Sequence, residues 1–350
     1  MRVLVLTHPE SDYGASFLFN GLCRVLGVDH VFDYPIKPTY HGKDDKEYPR
    51  PWCNDGPGNT GRYDWLREGV DNGCPVHGLR TPHDVRYFLK DGFFDFVILE
   101  SWRWTVQRSW NELCEDIRIG GAKVILHDGE DYHSFNREAL ETVRPDFYLK
   151  RELLKNYDFS NQSGPVVLPF PFSAPDQIVE WADSQPPAAI ERDIACLLGL
   201  SWEPRLELAN ELRKGIDAGE FTGYVATNAD SDRNNPQNLL GFWEYLELLR
   251  TSRFGVSMRG FGFDSCRLTE TAVLTGLLTD ELDIQYPFPF VHSETCIEYY
   301  TPRHARIAAE SIGKYAPDVQ QEIRSAGIKW ARTHHTNSAR VKWLLERVVD

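Results

Sequence analysis

Apolar residues along this chain fall into short, unbroken runs separated by longer segments of helical period. Residues 2–7 form a β-branched and leucine run of the kind found in a strand buried on both faces. A small-residue turn, Ser11-Asp12-Tyr13-Gly14-Ala15-Ser16, follows, and then the helix-patterned SFLFNGLCRVLG. Strand, tight turn and helix in that order open a doubly wound domain. Residues 94–99 (FDFVIL) and 123–127 (KVILH) predict two more buried strands, with the helical SWNELCEDIRIGG between them. Residues 146–149 and 166–168 continue the alternation. It starts again with a strand at 193–198, a helix at LELANELRKGI, a strand at FTGYVAT, a helix at QNLLGFWEYLELL and a strand from Arg253.

Two stretches break the pattern. Between Pro35 and Pro82 the chain is rich in Gly, Pro and charge and has no period, which predicts an irregular insertion over 36–83. An acceptor-binding lid and a packed surface excursion both fit it. Residues 173–192 break the alternation again, and Pro186-Pro187 marks the hinge. The expected organisation is therefore α/β, with two Rossmann-like doubly wound domains, 1–175 and 190–320, facing a central cleft. The tail, 321–350, reads as one or two amphipathic helices bearing Trp330 and Trp343.

At 350 residues the chain accommodates two domains that each bury a core. Its net charge of −14 argues against broad, sequence-independent nucleic-acid binding, although a local basic groove stays open. No run approaches a membrane span, and the amino terminus is too short and too soon interrupted for a signal peptide. Seven cysteines without CxxC pairs read as reduced thiols in the cytoplasm, with Cys53 and Cys74 the one pair an oxidising setting would join.

The densest chemistry lies in RFGVSMRGFGFDSCRLTETAVLTGLL, from Arg253 to Leu278. A strand leads into a basic glycine loop and then a helix opening at Asp264 and Ser265, which suits a diphosphate. Arg259 and Arg267 supply charge-assisted bonds, Gly260 and Gly262 permit close backbone approach, and Phe263 lies between them. Glu270, one helical turn deeper, suits ribose hydroxyls. The alternative is a helix-capping loop with Arg267 paired to a carboxylate.

The segment RGFGFDSCRLTE resembles the nucleotide-sugar signature of GT-B glycosyltransferases. It is most similar to the spore-maturation-type glycosyltransferase-like proteins and, more distantly, to the exostosin-like transferases. ILHDGEDY (125–132), YLKREL (148–153) and LPFPFSA (168–174) extend the resemblance. The chain departs from it at ETAVLTGLLTDE, where such families continue as EALAAGCIPV. The resemblance implies a nucleotide diphospho-sugar donor, UDP-sugar favoured, with no cofactor and no catalytic metal. It also implies a terminal helix crossing back onto the first domain, and a Gly/Ser turn beside the nucleotide at GLSWEPR, hence Ser201 and Arg205. The DxD motif of metal-dependent transferases has only the weak match Asp230-Ser231-Asp232.

On the acceptor side, Gly14 sits at the first strand–helix turn, and His8 and Glu10 at the same strand end are candidate bases. HDGEDYH (127–133) lies at another strand end, where ligands bind in open α/β sheets. Asp128, Glu130 and Asp131 are candidate general bases there; Asp131, Glu130 and His8 form the expected catalytic set. His127 and His133 with these carboxylates match no established metal spacing. Lys150 and Arg151 suit an acidic sugar or phosphate, or a solvated helix start, and Tyr245 a nucleobase, or the core. The expected activity is sugar transfer to an unidentified acceptor: a glycan, small molecule, protein or modified DNA base. A nucleotide-sugar epimerase and a non-catalytic nucleotide-binding module remain open.

Overall fold

A computed structural model describes residues 1–9, 12–37, 40, 82–158, 164–199, 202–227, 240–314 and 317–349. The first sheet has six parallel strands: β1 (Val3–Leu6), β2 (Val31–Tyr34), β3 (Phe96–Leu99), β4 (Lys123–Asp128), β5 (Phe147–Lys150) and β6 (Val166–Pro169). Their order is β2-β1-β3-β4-β5-β6. Val3 is thus flanked by Val31 on one side and Phe96 on the other. Alternate side chains of β1 enter separate cores. Val3 and Val5 pack with Leu18, Leu22 and Ile98, while Leu4 and Leu6 pack with Val97, Leu99 and Trp110. Burial on both faces is why these strands read as continuous apolar runs.

The helices of this half are α1 (Tyr13–Leu26), α2 (Pro82–Lys90), α3 (Trp104–Gly120) and α4 (Arg137–Val143). Asp12 caps α1 by accepting from the Ala15 N–H at 3.0 Å, and Asn136 caps α4 through Ala139. A further helix, α5 (Asp176–Ser184), occupies part of the segment that sequence pattern leaves as a break. DQIVEWADS packs Ile178, Val179, Trp181 and Ala182 against the second core, a stripe confined to nine residues beside the Pro-rich hinge.

The second sheet is also parallel, with order β11-β10-β9-β7-β8. Its strands are β7 (Arg192–Leu198), β8 (Gly223–Thr227), β9 (Ser252–Ser257), β10 (Gly276–Asp280) and β11 (Ile297–Tyr299). Helices α6 (Glu203–Asp217), α7 (Phe242–Arg250) and α8 (Cys266–Ala272) connect them. The helix expected after the signature is short: α8 ends by Thr275, and GLLTD is a fully buried strand. Helices α9 (Pro302–Lys314), α10 (Pro317–His334) and α11 (Asn337–Val348) complete the chain.

Helix α11 returns to the first half and packs on α1. The approach is close at Gly21, where a Cβ would lie 2.6 Å from the Asn337 carbonyl oxygen. The halves are also stitched beside β5: Gln285 N–H donates to Leu153 O at 2.7 Å, and Lys155 N–H to Asp283 O at 3.2 Å. The carboxyl ends of the two sheets meet along this seam. Among the described residues no helix is long and apolar enough to cross a membrane.

Candidate active site

In the first half a pocket opens where β3 and β4 end. It is lined by Asp12, Ser101, Trp102, His127, Gly129 and Glu130, among others. Order β1-β3-β4 makes this the region where connections leave to opposite sides of the sheet, the usual place for a ligand in an open α/β fold. His127 is 1 % exposed. Its Nδ1 lies 3.0 Å from the Glu100 carbonyl oxygen, an acceptor, so Nδ1 carries the proton and Nε2 presents a lone pair. Burial lowers the His127 pKa although Asp12 opposes this, which keeps the ring neutral. Nε2 is buried with no hydrogen-bond partner. A Cβ on Gly14 would sit 3.0 Å from His127 Cε1, and one on Gly129 3.1 Å. The two glycines leave this imidazole edge its space.

The charges around the pocket are paired. Arg103 lies 3.6 Å from both Asp12 and Glu130. Burial raises the Asp12 pKa, but His127 in its protonated form, the Ala15 N–H, Lys37 and Arg103 outweigh it and the net displacement is downward, so Asp12 is ionised. Lys150, fully buried, donates to Asp128 at 2.8 Å, and the Tyr148 hydroxyl donates to the same oxygen. Lys150 is therefore neither a solvated helix start nor a cation available to an acidic ligand.

Beneath the pocket lies a network that sequence reading missed. Glu100, 1 % exposed, accepts from Lys37 Nζ at 3.1 Å, Tyr40 OH at 2.7 Å and the His8 N–H at 2.6 Å. The His8 ring sits 3.5 Å from the same carboxylate. Burial, then Lys37 and Arg103, lowers its pKa to about 3. His8 is a packed member of this network and does not line the pocket. Asp131 is engaged too: it pairs with Arg151 and belongs to the seam, leaving Glu130 as the expected carboxylate at the pocket.

In the second half the signature loop adjoins the same seam. His133 and Phe263 rings are 5.2 Å apart across it. Glu152, just past β5 and fully buried, accepts from the Phe263 N–H at 2.9 Å and the Asp264 N–H at 3.1 Å. A Cβ on Gly262 would fall 2.2 Å from a Glu152 oxygen, so this glycine admits a carboxylate of the protein itself. Two of the N–H groups expected to face phosphate are thus occupied. Asp264 accepts from Phe172 N–H at 2.5 Å and Tyr286 OH at 2.8 Å, another clasp between halves. Burial, reinforced by Asp264, pushes the Glu152 pKa up to about 7 although Arg151 opposes it.

The signature arginines divide into different roles. Arg205 is 7 % exposed and donates to three main-chain carbonyls, of Arg259 (2.9 Å), Gly199 (2.9 Å) and Met258 (2.8 Å). It ties the turn after β7 to the loop after β9 and is not a solvated side chain. Arg259 lies 3.7 Å from Asp280 and over the rings of Trp202 and Phe263 at 4.9 and 4.6 Å. Arg267 has no hydrogen bond or ion pair to any described residue, and its buried Nε is unpartnered. The carboxylate partner offered as its alternative is absent among them. The side chain lies near Arg205, whose pKa burial and then Arg267 lower. Gly260 closes the loop through its N–H to Gly262 O at 3.1 Å, and Ser265 caps α8 without a side-chain bond. Glu270 is fully buried and accepts from Tyr245 OH at 3.1 Å, so its carboxylate is enclosed where a ribose contact requires exposure.

Ser201, Glu10, Asp230, Asp232, Cys53, Cys74 and nearly all of the 36–83 insertion lie outside the described residues.

No family model and no curated protein matches the chain. Solved structures do. Anabaena HepE in complex with UDP aligns over 100 % of both chains at TM-score 0.55 and 9 % identity. HepE with UDP-glucose aligns over 100 % of this chain and 99 % of its own, at 0.54 and 10 %. Sucrose-phosphate synthase from Thermosynechococcus elongatus covers the same shares at 0.53 and 10 %. The fold is GT-B. At such identities the likeness is one of architecture, and the GT-B frame places the seam between the sheets at the cleft between its two Rossmann-like halves.

Proposed function

We propose that the chain is a glycosyltransferase that moves a sugar from a nucleotide diphospho-sugar, a UDP-sugar, to an acceptor hydroxyl held by the first half. The observation that carries this reading is the meeting of two strand-end sites across one seam. One holds a guanidinium, Arg267, without a described partner. The other holds a neutral imidazole, His127, with an unpartnered lone pair. The GT-B fold, shared with structures solved with UDP and UDP-glucose, supports the choice of donor.

Breaking a sugar–diphosphate bond builds negative charge on the leaving group. Arg267 supplies fixed positive charge for it, and Arg259, steadied by Trp202 and Phe263, borders the same loop. His127 Nε2 accepts the hydrogen bond of a substrate hydroxyl, the task expected of His8. Glu270 acts through Tyr245, whose phenol it orients.

Incubating the chain with a panel of nucleotide sugars and neutral glycoside acceptors, and reading products by mass spectrometry, tests the proposal. A UDP-sugar yielding a glycosylated product supports it. Conversion of the donor to an epimer without acceptor, or no turnover of any donor, contradicts it.

A further inference from the structure

We infer that the first-half pocket takes an uncharged, polyhydroxylated ring, which makes the acceptor a neutral glycan in place of an acidic sugar, a sugar phosphate or a nucleic-acid base. This rests on the transferase reading for the word acceptor, but the ligand class follows from the pocket alone.

Three pocket-lining residues carry buried polar atoms without hydrogen-bond partners: Ser101 Oγ, Trp102 Nε1 and His127 Nε2. Ser101 is 4 % exposed and His127 1 %. Buried polar atoms are ordinarily paired, so three orphans around one pocket call for a ligand that gives and takes hydrogen bonds. Trp102 Nε1 only donates, neutral His127 Nε2 only accepts, and a serine hydroxyl does both. The carboxylates of Asp12 and Glu130 add further acceptors. A wall with mixed single sites and a surplus of acceptors matches a ring of hydroxyl groups.

Charge excludes the acidic classes. Four cations near this pocket face carboxylates: Arg103 with Asp12 and Glu130, Lys150 with Asp128, Arg151 with Asp131 and Glu152, and Lys37 with Glu100. A carboxylate or phosphate entering here would meet the carboxylates of Asp12 and Glu130 beside an Arg103 that both already engage. Two exposed aromatic residues adjoin the lining in sequence: Trp104, 64 % exposed, follows Arg103, and Tyr132, 69 % exposed, follows Asp131.

Saturation-transfer NMR on the full chain without donor separates the classes, using methyl glucoside, galactoside and mannoside, the matching methyl hexuronides, and glucose 6-phosphate. At pH 7.5 at least one neutral glycoside binds about tenfold tighter than its uronide, as expected when an anion must face carboxylates. Trp102→Phe keeps the ring but loses the N–H, and weakens that glycoside about three- to tenfold. Ser101→Ala does the same. Glu130→Gln, at a half-exposed position, narrows the gap to the uronide. Stronger binding of a uronide or phosphate overturns the inference. So does binding of no sugar, which would leave the pocket to water, or glycoside affinity unmoved by both Trp102→Phe and Ser101→Ala. Calorimetry with UDP on the same samples checks the donor site independently, so failure of either reading is seen apart from the other.

Discussion

The pocket beyond β3 and β4 and the loop beyond β9 both stand where a parallel sheet runs out, yet they treat charge in opposite ways. The pocket pairs its cations with carboxylates and leaves three neutral polar atoms without partners. The loop engages its N–H groups with Glu152, assigns Arg205 to main-chain carbonyls, and leaves the guanidinium of Arg267 without a described partner. On the proposed reading, one site receives hydroxyls and the other an anion. That division suits a reaction that releases a charged diphosphate and accepts a neutral nucleophile.

Arg205 and Arg267, so alike in sequence, offer the sharpest way to break the comparison. Arg205→Met leaves three buried carbonyls without donors and is expected to cost about 3 kcal/mol of stability in urea denaturation. A stable Arg205→Met protein with weakened UDP binding would return Arg205 to the ligand. Next in size is His127→Gln, expected to slow transfer about 100-fold while UDP affinity holds; an unchanged rate removes His127 from the chemistry. Gly262→Ala forces a methyl group onto the Glu152 carboxylate and should lower stability by about 2 kcal/mol. A neutral effect would mean that the clasp between halves is loose.

The smallest effect is one of pH. Folding raises the Glu152 pKa from its ordinary 4.5 to about 7, so between these values the folded state binds the extra proton. Stability from this group is present below pH 4.5 and is lost as pH rises through 7. Comparing denaturation at pH 5 and pH 8 should show a decline on the order of 1–2 kcal/mol, made shallower by Glu152→Gln. Asp264 and Asp280, both pushed up first by burial, give slopes of the same sign, so some decline persists in the variant. Equal slopes in the two proteins would show that Glu152 does not titrate in the clasp.

Much of this architecture was legible beforehand, because parallel strands buried on both faces must be apolar throughout and are bounded by turns. The resemblance of RGFGFDSCRLTE to the GT-B nucleotide-sugar signature implied the fold that the structure shows. Its inner workings were hidden. Gly262 looks like a glycine for phosphate, but Glu152 reaches its neighbour Phe263 across 111 positions of chain, a separation no local pattern reveals. His127 was visible in HDGEDYH, but only the Glu100 carbonyl settles which nitrogen holds the proton. Ser101 and Trp102 carry no motif at all. Helix α5 escaped because its apolar stripe runs over only nine residues beside a Pro-rich hinge.

The central claim is that Arg267 is the cation that meets the donor diphosphate. Isothermal titration of UDP into the native chain and into Arg267→Ala tests it most directly. The native chain is expected to bind, and the variant to lose about tenfold or more in affinity with its denaturation midpoint unmoved, since the side chain has no described partner to lose. Equal UDP affinity in the two proteins, or no binding to the native chain, would contradict the account.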